Sequence, residues 1–200
     1  VFDYISPLGN ISDVKLGVPV SVNIENCIAA MALAQLAGAS ADELRRAMAS
    51  YDGVVRRFDF KVKNDRHVVL SDYAHHPAEI RQSVESLKEV FDGRKITAIF
   101  QPHLYTRTRD FYKEFAERLS LFDEVVLTEI YPAREKPIKG VDSRLIYDNL
   151  RPSVEKYLIE KDTVLDFVRT HPTDVLVILG AGDLDDYTQR IADIVKAEDC

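Results

Sequence analysis

The spacing of apolar residues changes character near Gly53. Residues 1–18 mix short extended runs with a turn cluster, Ser6-Pro7-Leu8-Gly9-Asn10, whose residue types favour chain reversal. From Asn23 to Leu36 the chain is rich in Ala and Leu, which are strong helix formers. That stretch is apolar on nearly all sides, so the helix is expected to be buried. Gly38 marks its end. Ser40 and Glu43 form a capping-box pattern, opening a second helix through Ala49 that ends at Tyr51-Asp52-Gly53.

Beyond Gly53 the pattern becomes strand and helix in alternation. His67–Ser71 reads as a strand, and Pro77 opens a helix, a position where proline is welcome. Ile80, Val84, Leu87 and Phe91 give that helix its apolar face, and Gly93 closes it. Ile96–Phe100 is the next strand, followed by a helix marked by Phe111, Phe115, Leu119 and Phe122. Val125–Glu129 is a strand. A looser region carries a short helix near Ser143–Leu150 and a strand near Tyr157–Ile159. Thr163–Arg169 is helical, Val175–Leu179 is a buried strand, and Tyr187, Ile191 and Ile194 face the core from a last helix. Strands separated by helices of this length predict parallel pairing with right-handed crossovers. Residues 54–200 therefore read as one doubly wound α/β domain with a mostly parallel sheet, and residues 1–53 as the tail of a preceding domain.

Composition narrows the partners. Of 200 residues, 46% are apolar and 30% charged, ordinary for a soluble globular protein. The net charge is −7, and no basic stripe of the kind nucleic-acid binders carry is present. No apolar run is long enough to span a membrane, and no signal peptide is present. The chain begins at Val1, so an upstream portion is expected. The two cysteines, Cys27 and Cys200, have neither metal-site nor disulfide-framework spacing, which fits a reducing cytoplasm.

In a doubly wound sheet, ligands bind beyond the carboxyl ends of the strands. Three unusual segments fall at such ends: Ser71-Asp72-Tyr73-Ala74-His75-His76-Pro77, Gln101-Pro102-His103-Leu104-Tyr105-Thr106-Arg107-Thr108-Arg109, and Gly180-Ala181-Gly182-Asp183. Polar loops rich in His and Arg on one edge make an anion site with titratable groups. Each also has a plainer reading: a hydrogen-bonded loop histidine, a solvated helix start, a tight turn. Arg56-Arg57-Phe58 lies at the domain junction and suits either a phosphate clamp or a pair of surface charges. Asn23 and Asn26 share a helix face; they suit either a cap or recognition of a base edge by their amides.

Taken together, these segments resemble the Mur ligase family. Asp72-Tyr73-Ala74-His75-His76-Pro77 is close to that family's Asp-Tyr-(Ala/Gly)-His-(His/Thr)-Pro signature. The paired histidines, with Phe100-Gln101-Pro102-His103 and Tyr105-Thr106-Arg107-Thr108, are similar to the L-alanine-adding member. Arg56-Arg57-Phe58, Tyr131-Pro132-Ala133-Arg134-Glu135 and Gly180-Ala181-Gly182 follow in the expected order. Some positions depart from the pattern. Val20-Ser21-Val22-Asn23-Ile24-Glu25-Asn26 lacks the usual His before the first Asn, Ser71 replaces a common Asp, and Leu104 replaces a frequent Arg. No Gly-x-x-x-x-Gly-Lys-Ser/Thr phosphate loop occurs in these 200 residues; in the family it belongs to the central domain.

The resemblance implies a Rossmann-like carboxyl-terminal domain at 54–200, preceded at 1–53 by the helical tail of a central ATP-binding domain. It implies ATP-driven amide formation between L-alanine and UDP-N-acetylmuramate, with Mg²⁺ held mainly upstream. Arg57 matches the position facing the ATP phosphates and Asp72 the ribose contact, with Asn23 and Asn26 also on the nucleotide side. Tyr73, His75, His103, Arg107 and Ala181 match the substrate side, with His75, Arg57 and Arg107 as the catalytic candidates. The upstream domains of the same chain are the implied protein partner. Three rival readings remain: a muropeptide-recycling relative, a metal-dependent hydrolase using Asp72, His75, His76 and His103, and a non-catalytic nucleotide-binding module.

Overall fold

The computed structural model describes residues 1–18 and 20–197, without the side chains of Ser21 and Val22. Cys200 lies outside the described residues. The chain divides into two compact units, the first Val1–Val54 and the second starting at Val55.

In the first unit, β1 (Phe2–Tyr4) and β2 (Ile11–Val14) pair antiparallel. Two helices follow, α1 (Ser21–Leu36) and α2 (Ala41–Ala49). Gly38, at φ +96°, follows α1, in a conformation that costs glycine no clash. The capping box at α2 is formed: Ser40 Oγ accepts from Glu43 N, and Glu43 Oε2 accepts from Ser40 N at 2.8 Å. Tyr4, Ile11, Val14, Met31 and Leu44 form a small core. The expected burial of α1 is not met. Cys27 and Met31 are buried, but Leu33 is 69% and Leu36 70% exposed. Two short strands and one nine-residue helix have too little apolar surface to cover more than one stripe of α1. The capping reading of the asparagines also fails. The N-cap is Val20, with no side-chain cap, while Asn23 Nδ2 donates back to Val18 O at 3.3 Å and Asn26 is exposed.

The second unit is built on a six-stranded sheet. Its strands are β3 (Asp59–Lys63), β4 (Val68–Asp72), β5 (Ile96–Phe100), β6 (Glu124–Leu127), β7 (Glu155–Leu158) and β8 (Val175–Leu179). Spatial order is β3-β4-β8-β5-β6-β7. All neighbours are parallel except β3, which pairs antiparallel with β4. Helices α3 (Pro77–Val90), α4 (Tyr105–Leu119), α5 (Arg144–Tyr147), α6 (Val164–Thr170) and α7 (Thr188–Ala197) complete the winding. Successive strand residues face opposite sides. Val69, Ile99, Val126, Leu176 and Ile178 join a core with residues of α6 and α7. Phe100, of opposite parity, lies 5.4 Å from Phe115 of α4.

The architecture is the expected doubly wound, mostly parallel sheet. The unforeseen element is β3, whose Asp-Phe-Lys-Val-Lys alternation is a short edge-strand signal with lysines on the edge. For the site, the topology matters at one point. β8, last in sequence, inserts between β4 and β5, so the loops after β4, β5 and β8 leave the sheet side by side.

Candidate active site

The β4 loop begins at Asp72. Burial pushes its carboxyl above the ordinary aspartate range, against the opposing pull of the Ser83 hydroxyl, the Ala74 N–H and the Arg57 charge. Tyr73 N donates to Arg56 O at 2.7 Å, and the Tyr73 ring has the guanidinium carbons of Arg56 and Arg57 at 4.8 and 5.0 Å from its centre. His75 follows, its ring 5.0 Å from that of Tyr73. His75 Nδ1 sits 2.8 Å from Tyr73 O and 3.2 Å from Glu79 Oε2. A carbonyl only accepts, so Nδ1 carries a proton; in the neutral tautomer Nε2 is then the acceptor. Glu79 also accepts from the backbone N–H of His75 and His76, at 2.8 and 3.1 Å. Burial opposes its ionisation, but these bonds and the nearby His75 and Arg57 charges outweigh it and lower its pKa.

The second histidine has a different job. His76 is the N-cap of α3, and its Nδ1 accepts from Ala78 N at 3.4 Å. Its ring lies edge-on to Phe111, centroids 5.1 Å apart.

After β5, His103 stacks on Tyr131, with centroids 5.6 Å apart, and lies 6.1 Å from the His75 ring. Arg107 Nη1 is 3.5 Å from His103 Nδ1. Burial, then the charges of Arg107 and His75, lower the His103 pKa. The β5 loop is anchored to the segment after β6: Tyr131 N donates to Pro102 O at 2.8 Å and Leu104 N to Tyr131 O at 3.0 Å. Glu135 accepts from Thr106 N at 3.0 Å, fixing the first turn of α4.

The β8 loop is tightly packed. A Cβ at Gly180 would come within 2.9 Å of Gln101 O, and one at Gly182 within 2.2 Å of Gln101 Oε1. Glycine is required because the β5 loop occupies the space a side chain would need. Gln101 joins the two loops, donating to Asp183 Oδ1 at 2.9 Å and accepting from Leu184 N at 3.0 Å. Asp183 Oδ2 in turn takes Lys161 Nζ at 2.6 Å.

A family described as "Mur ligase, glutamate ligase domain" matches residues 56–189, well over half of the chain. The chain belongs to the Mur ligase family. Among curated proteins it is 60% identical over 195 residues to a UDP-N-acetylmuramate–L-alanine ligase of Phocaeicola vulgatus, covering 98% of this chain and 43% of that protein. It is 52% identical to the protein of the same name from Parabacteroides distasonis, covering 97% and 42%. Among solved structures it resembles the UDP-N-acetylmuramate-alanine ligase of Thermotoga maritima, with TM-score 0.74 and 30% identity over 95% of this chain and 40% of that one. A folylpolyglutamate synthase of Thermotoga maritima shares the fold, with TM-score 0.69 at 16% identity over 98% of this chain and 43% of that one. The chain thus spans about two fifths of the length of these relatives.

Within this Mur ligase unit, Asp72 at the end of β4, Tyr73, His75, His103 and Ala181 on the following loops, and Arg107 in the first turn of α4 all lie at the carboxyl ends of β4, β5 and β8, with Arg57 over Tyr73. Asn23 and Asn26 belong to the first unit. Arg109 turns away to an exposed pair with Asp110 at 2.7 Å. Asp72, His75, His76 and His103 do not converge: among the described residues, no three His, Cys, Asp or Glu side chains are grouped to hold a metal ion. Sequence reasoning passed over Glu79, Lys161 and Asp185. Glu79 had a local signal, three residues after the N-cap; Lys161 and Asp185 are distant in sequence from the loops they brace.

Proposed function

We propose that this chain is the carboxyl-terminal part of an ATP-dependent ligase that joins L-alanine to UDP-N-acetylmuramate in the cytoplasm, making a peptidoglycan precursor. Residues 1–53 form the end of its ATP-binding domain and 54–200 its carboxyl-terminal domain. The observation that carries the reading is the joining of three loops, after β4, β5 and β8, into one edge bearing Tyr73, His75, His103 and Arg107. The names of relatives at 60% and 52% identity support the choice of substrates.

In this reading the muramoyl carboxylate attacks the γ-phosphoryl group of ATP, giving an acyl phosphate and ADP. The amine of L-alanine then attacks the acyl carbon, the amide forms, and phosphate leaves. Phosphoryl transfer depends mainly on positioning and charge neutralisation. Arg57 supplies positive charge to the phosphates, Asp72 holds the ribose, and Asn23 and Asn26 serve the nucleotide side. Arg107 meets a substrate carboxylate through its two-pronged donor edge, with Tyr73, His103 and Ala181 lining the same side. The amine must shed a proton, and the free Nε2 of His75 is suited to receive it. Mg²⁺ is assigned to the rest of the ligase.

The test is phosphate release by the full-length ligase with ATP, UDP-N-acetylmuramate and L-alanine. Release should require all three and fall to background when a peptide replaces L-alanine. These 200 residues alone, having no phosphate loop, should give no product. Turnover with the peptide instead of L-alanine rejects the substrate assignment.

A further inference from the structure

Arg56 has a place in the site that its neighbour's role does not explain. Its backbone is left-handed, φ +61°, and so is that of Phe58, φ +52°. Bulky residues seldom adopt this conformation, and it persists only where the surroundings hold it. Here they do. Arg56 N donates to Asp59 Oδ2 at 3.1 Å, Arg56 O accepts from Tyr73 N at 2.7 Å, and Phe58 is buried against Phe60, rings 5.8 Å apart. Arg57, exposed, stands between two fixed residues.

The Arg56 side chain runs the opposite way, into the fold. Its Nη2 donates to Gly180 O at 3.0 Å and Gly182 O at 3.3 Å, the carbonyls on either side of Ala181. Its Nε forms an ion pair with Asp185 Oδ2 at 3.2 Å, too poorly aligned for a hydrogen bond. Asp185 is itself oriented, with Oδ1 accepting from Ser71 Oγ at 2.6 Å and Thr188 Oγ1 at 3.3 Å. The guanidinium lies over the Tyr73 ring. One planar cation thus ties the β4 loop, the β8 turn and the segment that carries Arg57.

We infer that Arg56 is a positioning residue: it fixes the Gly180–Gly182 turn and the stance of Tyr73 and Arg57, and does not itself bind phosphate. The inference rests on the functional reading above, in which Arg57 meets the ATP phosphates. Lysine should replace it poorly, since an ammonium lacks the planar fork that sets Nη2 against both carbonyls while Nε stands beside Asp185 and the plane covers the Tyr73 ring.

A double-mutant cycle in the full-length ligase tests this, with kcat and KM for ATP measured for Arg56→Ala, Arg56→Lys, Arg57→Ala and the double alanine variant. Arg57→Ala should lower kcat/KM roughly tenfold or more in the wild-type background and less than about threefold in the Arg56→Ala background, because residues that act through one another are not additive. Arg56→Lys should recover little. Equal losses from Arg57→Ala in both backgrounds overturn the inference, as does an Arg56→Ala enzyme with wild-type kcat and KM and only a lower melting temperature. A fully active Arg57→Ala enzyme instead removes the functional reading of Arg57, and the inference with it. If Arg56→Ala does not fold, Asp185→Asn, which removes the charge that seats the guanidinium, takes its place in the cycle: a diminished Arg57→Ala loss in that background supports the inference, and an undiminished one overturns it.

Discussion

Neighbouring residues of one type turn out to have opposite duties. His75 and His76 are indistinguishable as letters, yet one ring is held through Nδ1 on the Tyr73 carbonyl while the other caps α3 with Nδ1. Arg107 and Arg109 divide likewise: Arg109 pairs with Asp110 on the surface, whereas Arg107 is half-buried beside His103 and, among the described residues, pairs with no carboxylate. The sequence placed all four near the site, because strand-end position is legible from periodicity. Their separation depends on rotation about the helix start and on partners as distant in sequence as Phe111 beside His76, which local spacing does not encode. At the proposed site, Arg107 is thus available to meet a substrate carboxylate. In the full-length ligase, Arg107→Ala should cost about 2–4 kcal/mol of transition-state stabilisation, the usual scale for stripping one partner from a desolvated charge pair. Arg107→Lys should restore part of it, since attraction survives but the fork is lost. Melting temperature should move little, because no ion pair within the fold is broken. Steady-state kinetics for both substrates beside thermal unfolding decide the matter. Near wild-type kcat/KM in Arg107→Ala rejects the role, and a large fall in stability assigns Arg107 to the scaffold.

Elements carry the site through their order in the sheet. Strong local signals held for most of them: the capping box of α2, proline at the start of α3, and the apolar runs of β8 and, interrupted by Thr97, of β5. β3 was missed because five alternating residues between Gly53 and β4 give only a weak period-two signal. The burial of α1 was overestimated because apolar composition states what a helix can bury, not what lies beside it. Insertion of β8 between β4 and β5 has no local signature at all; only the convergence of loop chemistries hinted at it. That insertion presses the β8 turn against the β5 loop and leaves no room for a side chain at 182 unless Gln101 and Tyr131 shift. A Gly182→Ala methyl would meet Gln101 Oε1 at 2.2 Å and the Tyr131 Cβ and ring at 2.9 Å. Gln101 must then swing away, stranding the buried Leu184 N–H and loosening Asp183 from the β5 loop. Overpacking and a lost buried hydrogen bond together should destabilise by about 1–3 kcal/mol, lowering the melting temperature by roughly 2–4 °C per kcal/mol. Activity should fall as well, since Tyr131 braces His103. Gly182→Ala with unchanged melting and turnover would mean that the β8 turn yields freely and does not position the site.

On the scale of the whole molecule, the two units have unequal means of support. The second closes a core on both faces of a six-stranded sheet. The first leaves Leu33 and Leu36 of α1 largely exposed, and in the ligase proposed above it is the end of a larger domain. In the functional reading, that larger domain holds ATP, while Arg57 and the loops of β4, β5 and β8 belong to the other unit. The reaction then needs the units brought together around the nucleotide, and the segment joining them must permit it. The units part after Val54. Gly53, at φ +94°, stands next to the boundary, and glycine tolerates dihedral changes that other residues resist. Beyond it the chain is fixed: Arg56 is tied to Asp59 and Tyr73, and Phe58 is buried. A hinge is therefore expected within the few residues around Gly53, as in hinge closure, where element-terminal positions absorb the rotation. In the full-length ligase, labels placed on exposed residues of α2 and α3 should report a shorter and narrower distance distribution with ATP and UDP-N-acetylmuramate than without. The ligands can shift that distribution only by binding the closed arrangement more tightly, so Arg57→Ala, which removes a contact made only on closure, should blunt the change. A distribution that ignores the ligands rejects the hinge. A ligand response equal in wild type and Arg57→Ala keeps the hinge but removes Arg57 from its closing force.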